Sequence, residues 1–311
     1  MNIATVNLTQ TGVVRVSGAD AASFLQAQMT QAMSAINPAQ VMLTGYCTAK
    51  GRQLATFIAC RHEDAYFLIT HKGVIESVVK RLKMFVLRSK VILEDVSSQY
   101  LINFTQAHAG EAMKKAVRDN GSLLLTLRAL PGQPAPCALE LVPQQSVDAP
   151  ASSPLTVPTA ADNAFSLALI RLGIALVTPS TVEQFVPQQI NFDLVGGVSF
   201  DKGCYPGQEV VARSHYLGKS KKRSVIGVLA TKSLVTEKSD LWLEGKDNEP
   251  VGLVVNAAMD GDHCVVLFEC PVDLALDAQA SLSVDFEGQR IPVLRIELPA
   301  YDIQAKGNQY A

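Results

Sequence analysis

No cysteine of this sequence stands in a C-x-x-C pair, and the six cysteines, at 47, 60, 137, 204, 264 and 270, are scattered through largely apolar segments. That spacing argues against a disulfide framework and fits free thiols in a reducing compartment. The five histidines, at 62, 71, 108, 215 and 263, stand apart from one another and from any cysteine pair, so the sequence offers no zinc pattern and no metal is expected. No apolar run approaches the roughly 18 residues that a membrane span needs. The opening stretch, MNIATVNLTQTGVV, has no basic start followed by an apolar block. A cytoplasmic protein is therefore expected, without export signal or membrane partner. Excess charge of either sign is missing too. The formal net charge is −2 over 311 residues, so there is no global attraction to nucleic acid or to an acidic membrane, and any such binding must come from a local patch.

What is present is ordinary globular material: 48% hydrophobic and 18% charged residues, enough chain for two or three domains each with a core. Strand-like and helix-like segments alternate without a Rossmann glycine loop. Val13 to Val16 reads as a strand, and Ser17-Gly18-Ala19-Asp20 as a capping box opening a helix to about Met33. Phe24, Leu25 and Met29 share one side of it, leaving Gln26 and Gln28 near its edges. The functional reading is that at least one of these amides faces a pocket, and the bland one, a solvated polar face, is the stronger for Gln26. Val41–Thr48 and Leu54–Cys60 flank Ala49-Lys50-Gly51-Arg52, a hairpin whose tip carries two cations. After a strand at Tyr66–Thr70, Val74, Ile75, Val78, Val79, Leu82 and Phe85 have clean helical spacing and mark a core-facing stripe. Further strands are expected at Lys90–Val96 and Tyr100–Thr105, then a helix from about Gln106 to Asp119 ending at Asn120-Gly121.

Between Pro131 and Pro158 the composition changes. Seven of the fifteen prolines fall there, so apart from a strand at Cys137–Val142 the segment reads as loop, mobile after Pro143. Thr159, with Asp162 three residues on, caps a helix whose inner face is Phe165, Leu169 and Leu172 and which carries Arg171 at its end. Beyond residue 224, six short segments at even spacing (225–230, 241–244, 251–255, 264–268, 280–286 and 291–295) indicate an antiparallel barrel. The fold class expected is α+β, with a body at 1–218 containing the Pro-rich loop 131–158, and a C-terminal β-barrel domain at 219–311.

The stretch Asn191–Arg213 departs most from what packing asks of a sequence. Val198, Ser199 and Phe200 read as a brief strand entered through Gly196-Gly197, and Val210, Val211 and Ala212 as the buried side of a short helix. Pro206 either starts that helix at its first position or forms a turn with Gly207, and the helix start is the preferred reading. On it, Cys204 faces a helix N-terminus with the Lys202 ammonium two residues away, an arrangement that favours a thiolate. Gly203 leaves the backbone open to a ligand, while Gln208 and Glu209 place an amide and a carboxylate in the first turn. A lone cysteine among glycines is more often a small buried residue than a nucleophile. The weight shifts here because Lys, two Gly, Gln and Glu within eight residues make poor core material. Downstream, Lys219, Lys221, Lys222 and Arg223 form a cationic run, with Arg213 and His215 before it. Such a run is usually a solvated turn, and its functional reading is a contact to a polyanion such as RNA.

K-G-C-Y-P-G-Q-E-V-V-A-R, preceded by F-V-P-Q-Q-I-N-F-D-L-V-G-G-V-S-F and followed by Y-L-G-K-S-K-K-R, resembles the signature of the YgfZ-type folate-binding proteins, relatives of the glycine-cleavage aminomethyltransferase (T-protein). G-A-D-A-A-S-F-L-Q-A-Q-M-T at 18–30 and G-Y-C-T-A-K-G-R at 45–52 agree, and the likeness is faint only between about 100 and 158. The resemblance implies two interleaved subdomains around a central cavity, with the Cys204 loop in its wall and Tyr46 close by. It implies tetrahydrofolate or a derivative as cofactor, held by Gly203, Tyr205, Gly207, Gln208, Glu209 and Arg213 together with Gln188, Asn191, Gln28, Tyr46 and Arg171. Cys204 and Lys202 are then the reactive groups. The partners implied are iron–sulfur enzymes or their assembly proteins, tRNA-modifying ones included, with a tRNA or polyglutamate contact through Lys219, Lys221, Lys222 and Arg223. The alternatives are a folate-dependent aminomethyltransferase or other one-carbon transferase, and a folate-sensing scaffold whose cysteine is structural. No carboxylate of this chain is matched to the T-protein's catalytic aspartate, which lowers the weight of methylene transfer.

Overall fold

The computed structural model describes residues 6–106, 108–132, 135–144, 158–216, 220–246 and 248–309. The first unit contains β1 (Val6–Asn7), β2 (Thr11–Ser17), α1 (Ala21–Gln28), β3 (Val41–Cys47), β4 (Gln53–His62), β5 (Ala65–His71), α2 (Lys72–Lys83) and β6 (Ile92–Asp95). Strands β2 to β6 make a five-stranded antiparallel sheet in the order β3-β4-β5-β2-β6. Both of its faces are covered, which is why β4 reads as a continuous apolar run and not as an alternation. On one face Val14, Val16, Tyr46, Phe57 and Leu68 pack with α1 and α2; on the other Val13, Leu43, Ile58, Phe67 and Ile69 belong to the larger core. α2 buries Val74, Ile75, Val78, Val79 and Leu82 as its spacing predicts, but Phe85 lies past its end and is exposed.

The second sheet has the order β1-β7-β10-β9-β8, adding β7 (Tyr100–Thr105), β8 (Lys115–Val117), β9 (Leu123–Ala129) and β10 (Pro136–Pro143). Ile102, Phe104, Leu125, Leu127, Leu139 and Leu141 turn inward against the first sheet's second face. The helix expected at 106–119 is not formed. Lys115–Val117 pairs with Leu123–Leu125 as a hairpin, and Asn120-Gly121 is its turn, with Gly121 at φ +78°. Of the Pro-rich segment, residues 133–134 and 145–157 lie outside the described residues, so the mobility expected after Pro143 falls there.

α3 (Ala160–Arg171) opens on the capping box expected at Thr159 and Asp162. The Asp162 carboxylate also accepts from Thr9 and Gln10, fastening the start of the chain to this helix. After α4 (Gln208–Tyr216) come β11 (Lys222–Leu229), β12 (Asp240–Leu243), β13 (Gly252–Asp260), β14 (His263–Pro271), a short helix α5 (Val272–Leu276), β15 (Leu282–Phe286) and β16 (Gln289–Glu297). The six strands close a barrel in the order β11-β14-β13-β12-β15-β16, at the six places the strand spacing indicates. The α+β class with a C-terminal antiparallel barrel is thus what the chain adopts. Its expected boundary at 218/219 falls on residues 217–219, outside the described ones. No helix among the described residues is long and apolar enough to cross a membrane.

Candidate functional site

Between α3 and α4 the chain runs from residue 172 to 207 with only one short helical turn, Pro187–Ile190, yet most of it is buried. A buried irregular segment is tolerable only if its backbone groups find partners. Here they do. Gln53 N–H donates to the Phe185 carbonyl and Glu183 N–H to that of Gln53, while Val177 N–H donates to the Thr56 hydroxyl. Thr30 Oγ1 donates to the Gly197 carbonyl at 2.6 Å and Gln31 Nε2 to that of Gly196 at 2.8 Å. The brief strand expected at Val198–Phe200 is absent; Ser199 N–H donates instead to the Thr30 carbonyl. Sequence reasoning passed over Thr30, Gln31, Gln53 and Thr56. The signal available was indirect: a long apolar stretch without periodicity must borrow polar partners from elsewhere.

At the end of this segment Pro206 takes its other role. Gln208 N–H donates to the Tyr205 carbonyl at 3.1 Å, Gly207 has φ +81° and α4 begins at Gln208, so Pro206-Gly207 is the centre of a turn and does not start the helix. Cys204 therefore lies four residues before α4, and the helix N-terminus is not its immediate neighbour. Gly207 is required for a second reason. A Cβ there would come 2.5 Å from the Thr48 carbonyl oxygen and 2.6 Å from Gly51 N and Cα. The tip of the β3–β4 hairpin thus presses directly on the turn, and Arg52 is fastened to the Gln184 carbonyl. The fold has brought the basic hairpin to the loop.

Lys202 holds the other side. Its Nζ donates to the carbonyls of Gln26 and Met29, at 2.5 Å each, and sits 4.9 Å from the centre of the Tyr205 ring. The ammonium satisfies backbone groups left open where α1 ends, five residues short of the expected Met33, because Met29 is extended and bridges to Tyr46. Gln208 Nε2 reaches back to the Lys202 carbonyl at 3.4 Å. Tyr205 is buried beneath the loop, and burial raises its phenol and that of Tyr46 above the ordinary value. Gly203 looks onto open space, with nothing within 4 Å of where a Cβ would stand, and Cys204, Glu209 and Arg213 are exposed. The Gln28 Oε1 is buried without a hydrogen-bond partner, and the buried Tyr46 hydroxyl has the Arg81 guanidinium as its neighbour, whose charge and hydrogen bonding oppose the effect of burial on the phenol.

Other expected site residues are engaged elsewhere. Asn191, in the left-handed region at φ 57°, donates to the Ser224 carbonyl and the Tyr301 hydroxyl, so it joins the signature segment to the barrel. Gln188 Nε2 donates to the Val211 carbonyl at 2.7 Å, while its Oε1 has no partner. Arg171 is bound by Asp260 and Glu297 of the barrel. Within the basic run, Arg223 is buried and paired with Asp193, Lys222 pairs with Glu269 and Lys221 is exposed; Lys219 lies outside the described residues. The reading of this run as a solvated or ligand-facing patch therefore fails at Arg223.

Burial brings the Lys202 amine down to about 8. Between that value and an ordinary lysine's roughly 10.4 the folded protein binds fewer protons than the unfolded chain, so stability gains as pH rises through this window. An amine-reactive ester applied to the native protein is expected to modify Lys202 with a midpoint near pH 8. A midpoint no lower than that of free lysine would mean that the ammonium is not held in the wall.

Residues 2–122 match the model of the GCVT N-terminal domain. The tRNA-modifying protein YgfZ of Aliivibrio fischeri strain MJ11 is 28% identical over 290 residues, covering 90% of this chain and 89% of the relative. That of Colwellia psychrerythraea is 27% identical over 229 residues, 70% of this chain and 69% of the relative. Over most of its length the chain is therefore similar to proteins named YgfZ, and its N-terminal part is similar to the GCVT N-terminal domain. The resemblance carried by the 202–213 signature is thereby borne out. The crystal structure of the glycine cleavage system aminomethyltransferase T from Bartonella henselae superposes with a TM-score of 0.67 over 97% of this chain and 87% of its own, at 13% identity, which establishes a shared fold.

Proposed function

We propose that this protein binds a reduced folate beside the 202–209 loop and supports iron–sulfur enzymes, tRNA-modifying ones among them, with Cys204 as its functional thiol. The observation that carries the reading is the placement of Cys204. It is the one exposed cysteine of the six, and its loop is anchored by Lys202 to the carbonyls of Gln26 and Met29, either side of Gln28. A reduced pterin suits the groups there: its ring N–H and amino groups match the partnerless Gln28 Oε1, and the Tyr46 hydroxyl, beside Arg81, can donate or accept. Gly203 leaves room for close approach. The relatives' name adds tRNA modification to the reading, and the aminomethyltransferase-like fold adds folate.

Titration calorimetry with tetrahydrofolate is expected to show binding. Tyr46→Phe should weaken it about ten-fold, or about 1.4 kcal/mol, while costing the fold no more than about one hydrogen bond, roughly 1 kcal/mol, because the hydroxyl's neighbour inside the protein is the Arg81 guanidinium. Absence of heat with every reduced folate would overturn the reading, and unchanged affinity in Tyr46→Phe would remove Tyr46 from the site. The transferase alternative is kept by the shared fold alone. Robust cleavage of aminomethylated lipoyl protein by the purified chain would replace the accessory role with it.

A further inference from the structure

A cleft of about 660 Å³ lies where the end of α4, the start of β11 and the C-terminal residues 303–306 meet. That size suits a group about as large as a nucleotide. Its wall holds four cations, Lys221, Lys222, Arg223 and Lys306, against two carboxylates, Asp193 and Asp273, so it is electropositive in a chain whose net charge is −2. The cations divide into two kinds. Arg223 is tied to Asp193 and Lys222 to Glu269, whereas Lys221 and Lys306 are exposed and make no ion pair among the described residues. Two lysines are thus available to an anion.

The cleft wall and the residues next to it carry features that an anion alone would not need. His215, in the wall, stacks on Phe200 behind it, with centroids 3.6 Å apart and planes 15° apart, and Tyr216, the next residue in the chain, stands edge-on to His215 at 5.0 Å. Tyr216 is 62% exposed, and among the described residues its ring contacts are the edge-on ones to His215 and Phe200. Burial lowers the His215 imidazole below its ordinary value, which leaves it neutral at pH 7 with one N–H and one acceptor nitrogen. Gln188, 2% exposed, lies in the wall with its Nε2 fixed on Val211 and its Oε1 partnerless, an acceptor waiting for an N–H.

We infer that this cleft takes one nucleotide of a single-stranded RNA, its phosphate between Lys221 and Lys306, its base against the Tyr216–His215 pair, and a base N–H directed at Gln188. A phosphate or a polyglutamate tail would use the lysines and leave the rings and the amide idle. A base joined to a phosphate uses all three. The inference deepens the RNA side of the function proposed above and rests on it for the class of partner, but it needs nothing from the folate pocket.

The test is binding of a fluorescently labelled single-stranded RNA of roughly ten nucleotides to the full chain, by anisotropy across a salt series. The Lys221→Glu, Lys306→Glu double variant should bind more weakly and flatten the slope of log affinity against log salt by about 1.4, since each phosphate contact on a single strand contributes about 0.7. Tyr216→Ala should lose about five-fold or more in affinity with the slope unchanged, because stacking carries no counterions. Tetrahydrofolate binding, measured on the same variants, should not move. Wild-type protein that ignores RNA overturns the inference, and so does an unaltered slope in the double variant. If Tyr216→Ala is silent and inorganic polyphosphate competes as well as RNA does, the cleft is a plain anion site and the nucleotide is wrong. RNA binding that follows this pattern in a protein without folate affinity would uphold the cleft while removing the folate reading.

Discussion

Replacing Arg223 with alanine is expected to destabilise the protein by about 3–5 kcal/mol, the cost of leaving a buried charge without its partner. The guanidinium is 5% exposed and the Asp193 carboxylate 2% exposed. Nη1 donates to Asp193 Oδ1 at 2.6 Å and Nη2 to Oδ2 at 3.1 Å, a two-pronged pair, and Nη1 also donates to the Gln188 carbonyl at 2.9 Å. Asp193 sits in the signature segment and Arg223 at the start of β11, so the pair bolts the irregular wall of the site to the barrel. Removing the arginine strands the carboxylate and one carbonyl together. Urea denaturation is the measurement, and the Arg223→Met, Asp193→Leu double variant should recover most of the loss, since apolar isosteres of a buried pair are often neutral. A loss below about 1 kcal/mol in the single variant would show the pair to be solvated. Charge reversal at Arg223 therefore measures folding, and only Lys221 of the described run is suited to testing ligand contact.

What the sequence disclosed and what it hid follow one division. α2 and the barrel strands were legible because each has its own period, and packing then used that period unchanged. The segment 106–119 misled because Glu111–Val117 is rich in good helix formers. Its fate was decided by partners far away: Lys115 N–H donates to the Ala39 carbonyl, Gln40 bridges Lys114, and Lys115–Val117 completes the edge of the second sheet. Asn-Gly is equally at home after a helix or in a hairpin, so it could not arbitrate. Pro206 posed the same problem at the site. Both of its roles are local, and the choice was made by Gly207, whose backbone must pass against Gly51 more than 150 residues earlier in the chain. The signature residues were legible as chemistry. Their separation into anchors, Lys202 and Asn191, and open groups, Cys204 and Glu209, was not, because it depends on which carbonyls and hydroxyls the fold delivers.

Cys204→Ala is expected to abolish support of iron–sulfur enzymes in cells while changing stability by no more than about 0.5 kcal/mol, the range of an exposed substitution away from caps and cores. Cys204→Ser should fail likewise, since it keeps the shape and discards the soft, nucleophilic sulfur. The other five cysteines are buried. Burial pushes Cys60, Cys137 and Cys270 up to about 12 and raises Cys47 and Cys264 as well, so they are both shielded and protonated at neutral pH. Iodoacetamide on the native protein should accordingly alkylate Cys204 first and reach the rest only on unfolding. Lys202→Met supplies the contrast: it leaves the sulfur in place but releases the loop from α1, and should lower folate affinity and cellular activity together. If both Cys204 variants retain full cellular activity while Lys202→Met loses it, the loop acts through its anchoring on α1 and the sulfur is a bystander. If Cys204 is alkylated no faster than the buried five, its side chain is covered in solution and the assignment fails at its first premise.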